Sequence, residues 1–217
     1  MNAHPDHVDI AIVGGGPVGV ALALALEGSG LAIALLEAKS EFASRDPRAI
    51  ALSHGSRLIL ERLAVWHRLA AKATAIETIH VSQQGGFGRA RLTAREAGVS
   101  ALGYTVAYGD LYQSLASRLP DGGAHLITGA QVTAVRPASG CGLVAFELAG
   151  QQRQLSARLI VLAEGGRSLP GVQTVKDYGA SALVCTVRTA RAHGNLAYER
   201  FTPEGPIALL PLHDDYA

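Results

Sequence analysis

Three spaced glycines, set between two apolar segments of different period, constrain this chain more than any other feature. Residues 8–13, Val-Asp-Ile-Ala-Ile-Val, form a short run rich in β-branched side chains that ends at Gly14-Gly15-Gly16-Pro17. From Pro17 the composition turns to Ala, Leu and Val over a helical length, as far as Gly28-Ser29-Gly30. This is strand, tight turn and helix, the context in which Gly14-x-Gly16-x-x-Gly19 has a physical meaning. Gly14 permits the turn, Gly16 lets a pyrophosphate approach the backbone, and Gly19, with Ala23 one turn later, lets helix and strand pack closely. Phosphates would rest on the helix N-terminus, where unpaired N–H groups and roughly half a positive charge of helix dipole favour an anion. Gly15, Pro17 and Val18 complete the candidate loop. The plain alternative is that these glycines only make a turn.

Residues 31–36 are a second apolar run of strand length, and Glu37 follows directly, which completes a βαβ unit with parallel strands buried on both faces. Glu37 lies 18 residues beyond Gly19. A carboxylate at that strand end accepts hydrogen bonds from ribose hydroxyls, each charge-assisted bond contributing ~1.5–3 kcal/mol, and repels a 2′-phosphate. The pair of features suits the adenosine of FAD or NAD and disfavours NADP. The alternative for Glu37 is a solvated carboxylate.

Farther along, 46–52 reads as extended, and Ser53 or Ser56 can cap a helix with an apolar stripe of Leu58, Ile59, Leu60, Leu63 and Val65. Residues 76–81 and 90–93 read as strands around a glycine-rich turn, and Asp110 as the N-cap of a helix carrying Leu111, Leu115 and Leu119. Strands are expected at 131–136, 143–148 and 159–162, then at 182–187, 196–201 and 207–212. A second glycine match, Gly140-x-Gly142-x-x-Ala145, opens a strand and not a helix, so it is read as a hairpin turn.

Composition removes several function classes. The 217 residues are 48% hydrophobic and 17% charged with a net charge of +1, which argues against disorder and against nucleic-acid binding. Sixteen arginines face three lysines, but they are scattered, and no stretch offers a cationic face. Residues 10–26 carry no charge, yet Gly14 to Pro17 would interrupt a membrane helix. Two cysteines, Cys141 and Cys185, make no disulfide scaffold and fit a reducing cytoplasm, and the N-terminus lacks the basic start of a secretory signal. There is no Gly-x-Ser-x-Gly elbow, His-Glu-x-x-His pair or Walker loop. His4-x-x-His7 and His213-Asp214-Asp215 are read as polar tail and polar turn, with no metal site.

Several segments together resemble the ubiquinone-biosynthesis hydroxylases, flavin-dependent aromatic monooxygenases. They are the Gly14 to Gly19 loop with Glu37; Asp46-Pro47-Arg48-Ala49-Ile50-Ala51-Leu52-Ser53; Leu102-Gly103-Tyr104-Thr105-Val106; Ala163-Glu164-Gly165-Gly166-Arg167-Ser168; and Arg200-Phe201-Thr202-Pro203-Glu204-Gly205-Pro206-Ile207-Ala208-Leu209-Leu210-Pro211-Leu212. The second and last are close to the family signature. The resemblance implies an α/β fold: a Rossmann-like FAD-binding domain of the glutathione-reductase or p-hydroxybenzoate-hydroxylase type, with an incomplete β-rich substrate domain. It places the discontinuous FAD-binding domain at 1–72 and 100–177 and the substrate domain at 73–99 and 178–217. It implies that Gly14, Gly16, Gly19 and Glu37 bind the ADP half of FAD, that Arg48 contacts the cofactor, and that Val132 lies by the adenine through its backbone. A guanidinium at 48 can donate two hydrogen bonds to a phosphate or flavin oxygen, the alternative being a surface pair with Asp46.

Glu164-Gly165 stands where the family has Asp-Gly, which moves a cofactor carboxylate by one methylene, and Ala180 replaces a usual Gln. The family pattern is covered to about its midpoint, before its later Gly-Asp motif, so a truncated form with little activity is expected. The implied reaction is hydroxylation of a polyprenylated phenol by tightly bound FAD, with NAD(P)H as transient reductant and O2 as oxidant. Such a substrate implies visits to the membrane surface, and an oligomer or biosynthetic complex stays open. The rival readings are another FAD oxidoreductase, of the prenyl reductase type, and a non-catalytic nucleotide-binding module.

Overall fold

In the computed structural model, which describes residues 5–42, 46, 48–121, 123–165, 169, 176, 178–213, 215 and 216, the opening segment folds as strand, turn and helix. β1 (His7–Val13) leads into α1 (Pro17–Ala25) and β2 (Ile33–Glu37). Next come β3 (Ala49–Ser53), α2 (His54–Arg62), α3 (Trp66–Leu69), β4 (Thr74–Ile76), β5 (Thr78–Gln83) and β6 (Arg89–Thr93). β7 (Gly103–Ala107) and α4 (Tyr108–Ala116) precede β8 (His125–Thr128), β9 (Gln131–Ala138), β10 (Cys141–Leu148) and β11 (Gln151–Leu162). The last strands are β12 (Leu196–Thr202), β13 (Gly205–Leu209), β14 (Pro211–Leu212) and β15 (Asp215–Tyr216). The chain divides into two compact units, Met1–Ser44 with Tyr112–Ala180 and Arg45–Leu111 with Ser181–Ala217.

The first unit is a six-stranded sheet in the order β8-β2-β1-β11-β10-β9. β8, β2, β1 and β11 are parallel, while β11, β10 and β9 form an antiparallel meander. β1 and β2 are buried almost throughout, as parallel strands with covered faces are. Their Val8, Ala11, Val13, Ala34 and Leu36 share one core with Ile127, Val144, Phe146 and Leu155. The Gly140 match is the hairpin turn it was read to be, with φ +72 at Gly140 between β9 and β10.

β11 is twelve residues long, although only its last four were expected. Its first half opens on Gln-Gln-Arg-Gln, four polar and exposed residues, so no apolar alternation marks it. That half pairs with β10 and the second half with β1. β8 was not expected because a four-residue edge strand carries little pattern.

The second unit holds a sheet in the order β13-β12-β5-β6, a three-stranded sheet β3-β7-β4 and the short pair β14-β15. Ser53 is the N-cap of α2, its Oγ accepting from the Ser56 N–H at 3.0 Å. Leu60, Leu63 and Val65 are buried, but Leu58 and Ile59 are exposed, because a hundred degrees per residue carries them off the covered face. Asp110 is not the cap of α4. The helix begins two residues earlier, where the Tyr108 and Gly109 N–H groups bond to the Arg48 and Asp46 carbonyls, and Asp110 pairs from the first turn with Lys72 at 2.5 Å. Residues 182–187 form no strand. Leu183 and Val184 are exposed, and Val187 bridges to Tyr216; β-branched composition without a neighbouring strand makes no ladder.

Two outcomes follow for the first unit. Phe146→Ala, at a fully buried position, should cost about 3–5 kcal/mol in a denaturant melt. Asp9 accepts the Ala32 N–H at 2.9 Å and an Arg158 N–H at 3.1 Å, and the Ala32 bond first, then Arg158, holds its carboxyl below the ordinary 3.8. A lowered folded value stabilises above the unfolded pKa and is lost as pH falls through the folded one. The melting temperature of wild type should therefore exceed that of Asp9→Asn at pH 7, and the gap should close on acidification below 3.8.

Candidate functional site

The turn after β1 is held by its neighbours in the sheet. The Gly14 N–H donates to the Leu36 carbonyl at 2.8 Å, and the Ala163 N–H donates to the Val13 carbonyl at 2.7 Å. Gly14 has φ +105, and a Cβ there would stand 2.6 Å from the Glu164 backbone. A Cβ at Gly19 would overlap the Gly14 carbonyl oxygen, and one at Gly15 would press on Phe42 and on the Glu37 carboxylate. Gly16 differs from all three, since nothing lies within 4 Å of the position a Cβ would take. Gly14 and Gly19 are held against backbone, Gly15 is crowded by two side chains, and Gly16 faces open space, where a ligand can approach the backbone.

Gly16 is also the N-cap of α1, with extended backbone and no side-chain cap. Pro17 opens the helix, the first turn holds no acidic residue, and Val18 is exposed. No side chain caps the amide end of this helix, and its own first turn supplies no carboxylate.

Glu37 ends β2 beside the loop. Its Oε2 accepts the Gly15 N–H at 2.7 Å and its Oε1 accepts the Lys39 N–H at 2.9 Å. A carboxylate has about four acceptor sites, so two remain for hydroxyl donors. The Ala130 N–H bonds to the Glu37 carbonyl at 2.9 Å and the Gly129 N–H to the Lys39 carbonyl at 2.8 Å, which pins the start of β9, and with it Val132, to the same sheet end. Val132 is buried. Glu164 and Gly165 follow β11 after Ala163, with the Glu164 backbone next to Gly14, and Gly165 has φ +77.

The structure thus brings together Gly14, Gly15, Gly16, Pro17, Val18, Gly19, Glu37, Val132, Glu164 and Gly165 at the carboxyl ends of parallel strands, where open α/β sheets bind ligands. The donor set fits an adenine dinucleotide. It has an uncapped helix amide end for the pyrophosphate, an open glycine for its approach, and spare carboxylate acceptors for a ribose. Arg48 lies in the second unit, and there the pair weighed from sequence is formed. Its Nε and a terminal nitrogen donate to Asp46 at 2.8 and 2.6 Å, and it stands 5.9 Å from the Tyr108 ring. Asp46 raises the guanidinium pKa further above its ordinary value.

Sequence pattern did not disclose the Phe42 contact or the Glu37–Gly15 bond, since both come from the path of the chain after β2. His7 Nδ1 shares a 2.8 Å hydrogen bond with Ser156 Oγ, and the His213 N–H donates to Thr74 Oγ1 at 2.8 Å. His4, Pro47, Gly166, Arg167, Ser168 and Asp214 lie outside the described residues. Among the described residues, no group of three or more metal-binding side chains occurs, and no helix is long and apolar enough to cross a membrane.

The family described as FAD binding domain matches residues 7–186. Ubiquinone hydroxylase UbiL of Rhodospirillum rubrum is 33% identical over 94% of this chain and 49% of its own length. The 3-demethoxyubiquinol 3-hydroxylase of Escherichia coli K12 is 31% identical over 96% of the chain and 56% of its own length. The chain spans about half the length of the curated relatives it matches. Among solved structures, a geranylgeranyl bacteriochlorophyll reductase-like protein from Thermoplasma acidophilum superposes with a TM-score of 0.70 at 17% identity, covering 97% of this chain and 56% of that one. The flavin-dependent monooxygenase PieE, solved with FAD and substrate, gives 0.68 at 18% identity, covering 98% and 42%. These two likenesses concern the fold.

Single-methyl substitutions separate the two kinds of glycine. Gly19→Ala should lower the melting temperature sharply, because the helix must move off the Gly14 carbonyl. Gly16→Ala should change folding stability by no more than about 1 kcal/mol yet weaken dinucleotide binding measured by calorimetry.

Proposed function

The chain belongs to the FAD binding domain family, and from that membership we propose that it forms the adenine-dinucleotide-binding part of a flavin-dependent hydroxylase of ubiquinone biosynthesis. The observation that carries the proposal is the pairing of the Gly14–Gly19 turn with Glu37, in which Gly16 alone opens outward and the carboxylate keeps two acceptor sites. Similarity to relatives named as ubiquinone hydroxylases supports the reaction class.

In this reading the α1 amide end and Gly16 hold the pyrophosphate, and Glu37 holds the adenosine ribose and rejects a 2′-phosphate. The Val132 backbone lies by the adenine, Glu164 and Gly165 border the cofactor, and Arg48 contacts it through a guanidinium that exchanges its Asp46 partner. The FAD-binding domain comprises 1–72 and 100–177, and the substrate domain 73–99 and 178–217. Bound FAD would supply the redox and oxygen chemistry, with electrons from NAD(P)H and oxygen from O2. The substrate is a polyprenylated phenol. The protein's part is to hold ring and cofactor in register and to keep water away.

Glu37→Ala should weaken FAD binding by roughly 10- to 100-fold, the loss of one to two charge-assisted hydrogen bonds. Visible absorbance and calorimetry on the complete protein measure this. NAD(P)H oxidation with product analysis decides the reaction: a phenol gaining one oxygen supports it, and a reduced prenyl double bond refutes it. Protein that takes up no flavin refutes the cofactor assignment as well.

A further inference from the structure

The arginines are scattered along the chain but not in space. In the second unit's mixed sheet, Ser82 is opposite Arg89 and His80 opposite Arg91, while Arg200 is opposite Ser82 and Ile207. Residues in register share a face, so Arg89, Arg91 and Arg200 project from one side of three neighbouring strands. Arg200 donates to Ser82 Oγ at 3.3 Å, and none of the ion pairs formed among the described residues involves these three guanidinium groups. Arg89 and Arg91 stand two residues apart on β6 and Arg200 two strands away on β12, so their charges add at one face.

The same end of the sheet is apolar at its tip. The β5–β6 turn reads Gln84-Gly85-Gly86-Phe87-Gly88, its Gln84 N–H is tied to the Phe201 carbonyl at 2.8 Å, and Phe87 is 105% exposed. β12 runs parallel to β5, which puts the β12–β13 turn beside this tip; Ile207, 55% exposed, is in register with Arg200 on the arginine face, while Phe201 lies on the other face with Leu92. Glu204 lies in that turn and Glu199 on the opposite face of β12, so three arginines against two carboxylates leave an excess of one positive charge, with no carboxylate on the arginine face of these strands.

We propose that this sheet end docks on an anionic lipid bilayer, with Phe87 entering the boundary between headgroups and acyl chains and the arginines meeting lipid phosphates. At about 3.3 Å per residue, Arg89 lies roughly 7 Å and Arg91 roughly 13 Å behind Phe87. Interfacial apolar groups enter about 5–10 Å, so Arg89 falls at phosphate depth and Arg91 stays within a Debye length of about 8 Å of the surface. A soluble anion would satisfy the guanidinium groups and leave Phe87 at the tip and Ile207 on the arginine face in water, whereas a charged bilayer takes both. The inference is independent of the flavin assignment, and its test involves no turnover.

The complete protein is sedimented with vesicles of phosphatidylcholine alone and with about a third phosphatidylglycerol. Binding should need the anionic lipid and weaken with salt. Arg89→Gln and Arg91→Gln should each weaken it about five-fold, Phe87→Ser should weaken it roughly ten-fold, and Leu92→Ser on the opposite face should leave it unchanged. In Phe87→Trp, brominated lipid should quench emission beyond that of Trp66. Equal binding by wild type and the Phe87 and arginine variants overturns the proposal. So does a Phe87→Trp signal already blue-shifted and insensitive to vesicles, which means protein covers the tip. Release of vesicles by millimolar inorganic phosphate at constant ionic strength overturns it too, making the face a soluble-anion site.

Discussion

The first unit depends on one close approach, that of the Gly14 carbonyl to Gly19 at the head of α1. No side chain can stand between them, and the same turn is wedged against the Glu164 backbone on its other side. Because the turn is clamped from both flanks, α1 can point its amide end only toward the carboxyl end of the sheet. The direction of the α1 amide end is therefore a consequence of packing, present before any ligand arrives.

Glu37 links this constraint to chemistry. Its carboxylate receives the Gly15 amide, and its carbonyl receives the Ala130 amide, so one residue ties the turn, β2 and the entry to β9. Under the proposed reading, the carboxylate that would accept ribose hydroxyls is already fixed by backbone donors, which lowers the entropy lost when a nucleotide binds.

How much of this was legible in the sequence depended on whether local pattern or distant pairing decided the outcome. The β1–α1–β2 unit was legible because strand period, glycine spacing and helix composition agree over 30 residues. The Ser53 cap was legible for the same local reason. The polar half of β11 was not, because its strand character comes from β10 across a turn. The start of α4 is not legible from Asp110, because the helix begins where Arg48 and Asp46 carbonyls accept its first amides, contacts some 60 residues away in sequence. The arginine cluster was invisible for a similar reason: Arg89 and Arg200 become neighbours only through the register of β5 with both β6 and β12.

β11 belongs to two ladders at once, and that has a consequence for synthesis. Its pairing of Ser156 with His7 joins residues 149 positions apart, so β1 must wait for the strand that completes its shelter. At about 5–20 residues per second a ribosome needs roughly 7–30 s to span that interval. During that time one of the most apolar segments of the chain has an open edge toward the absent partner, and the nascent protein is at its most dependent on chaperones.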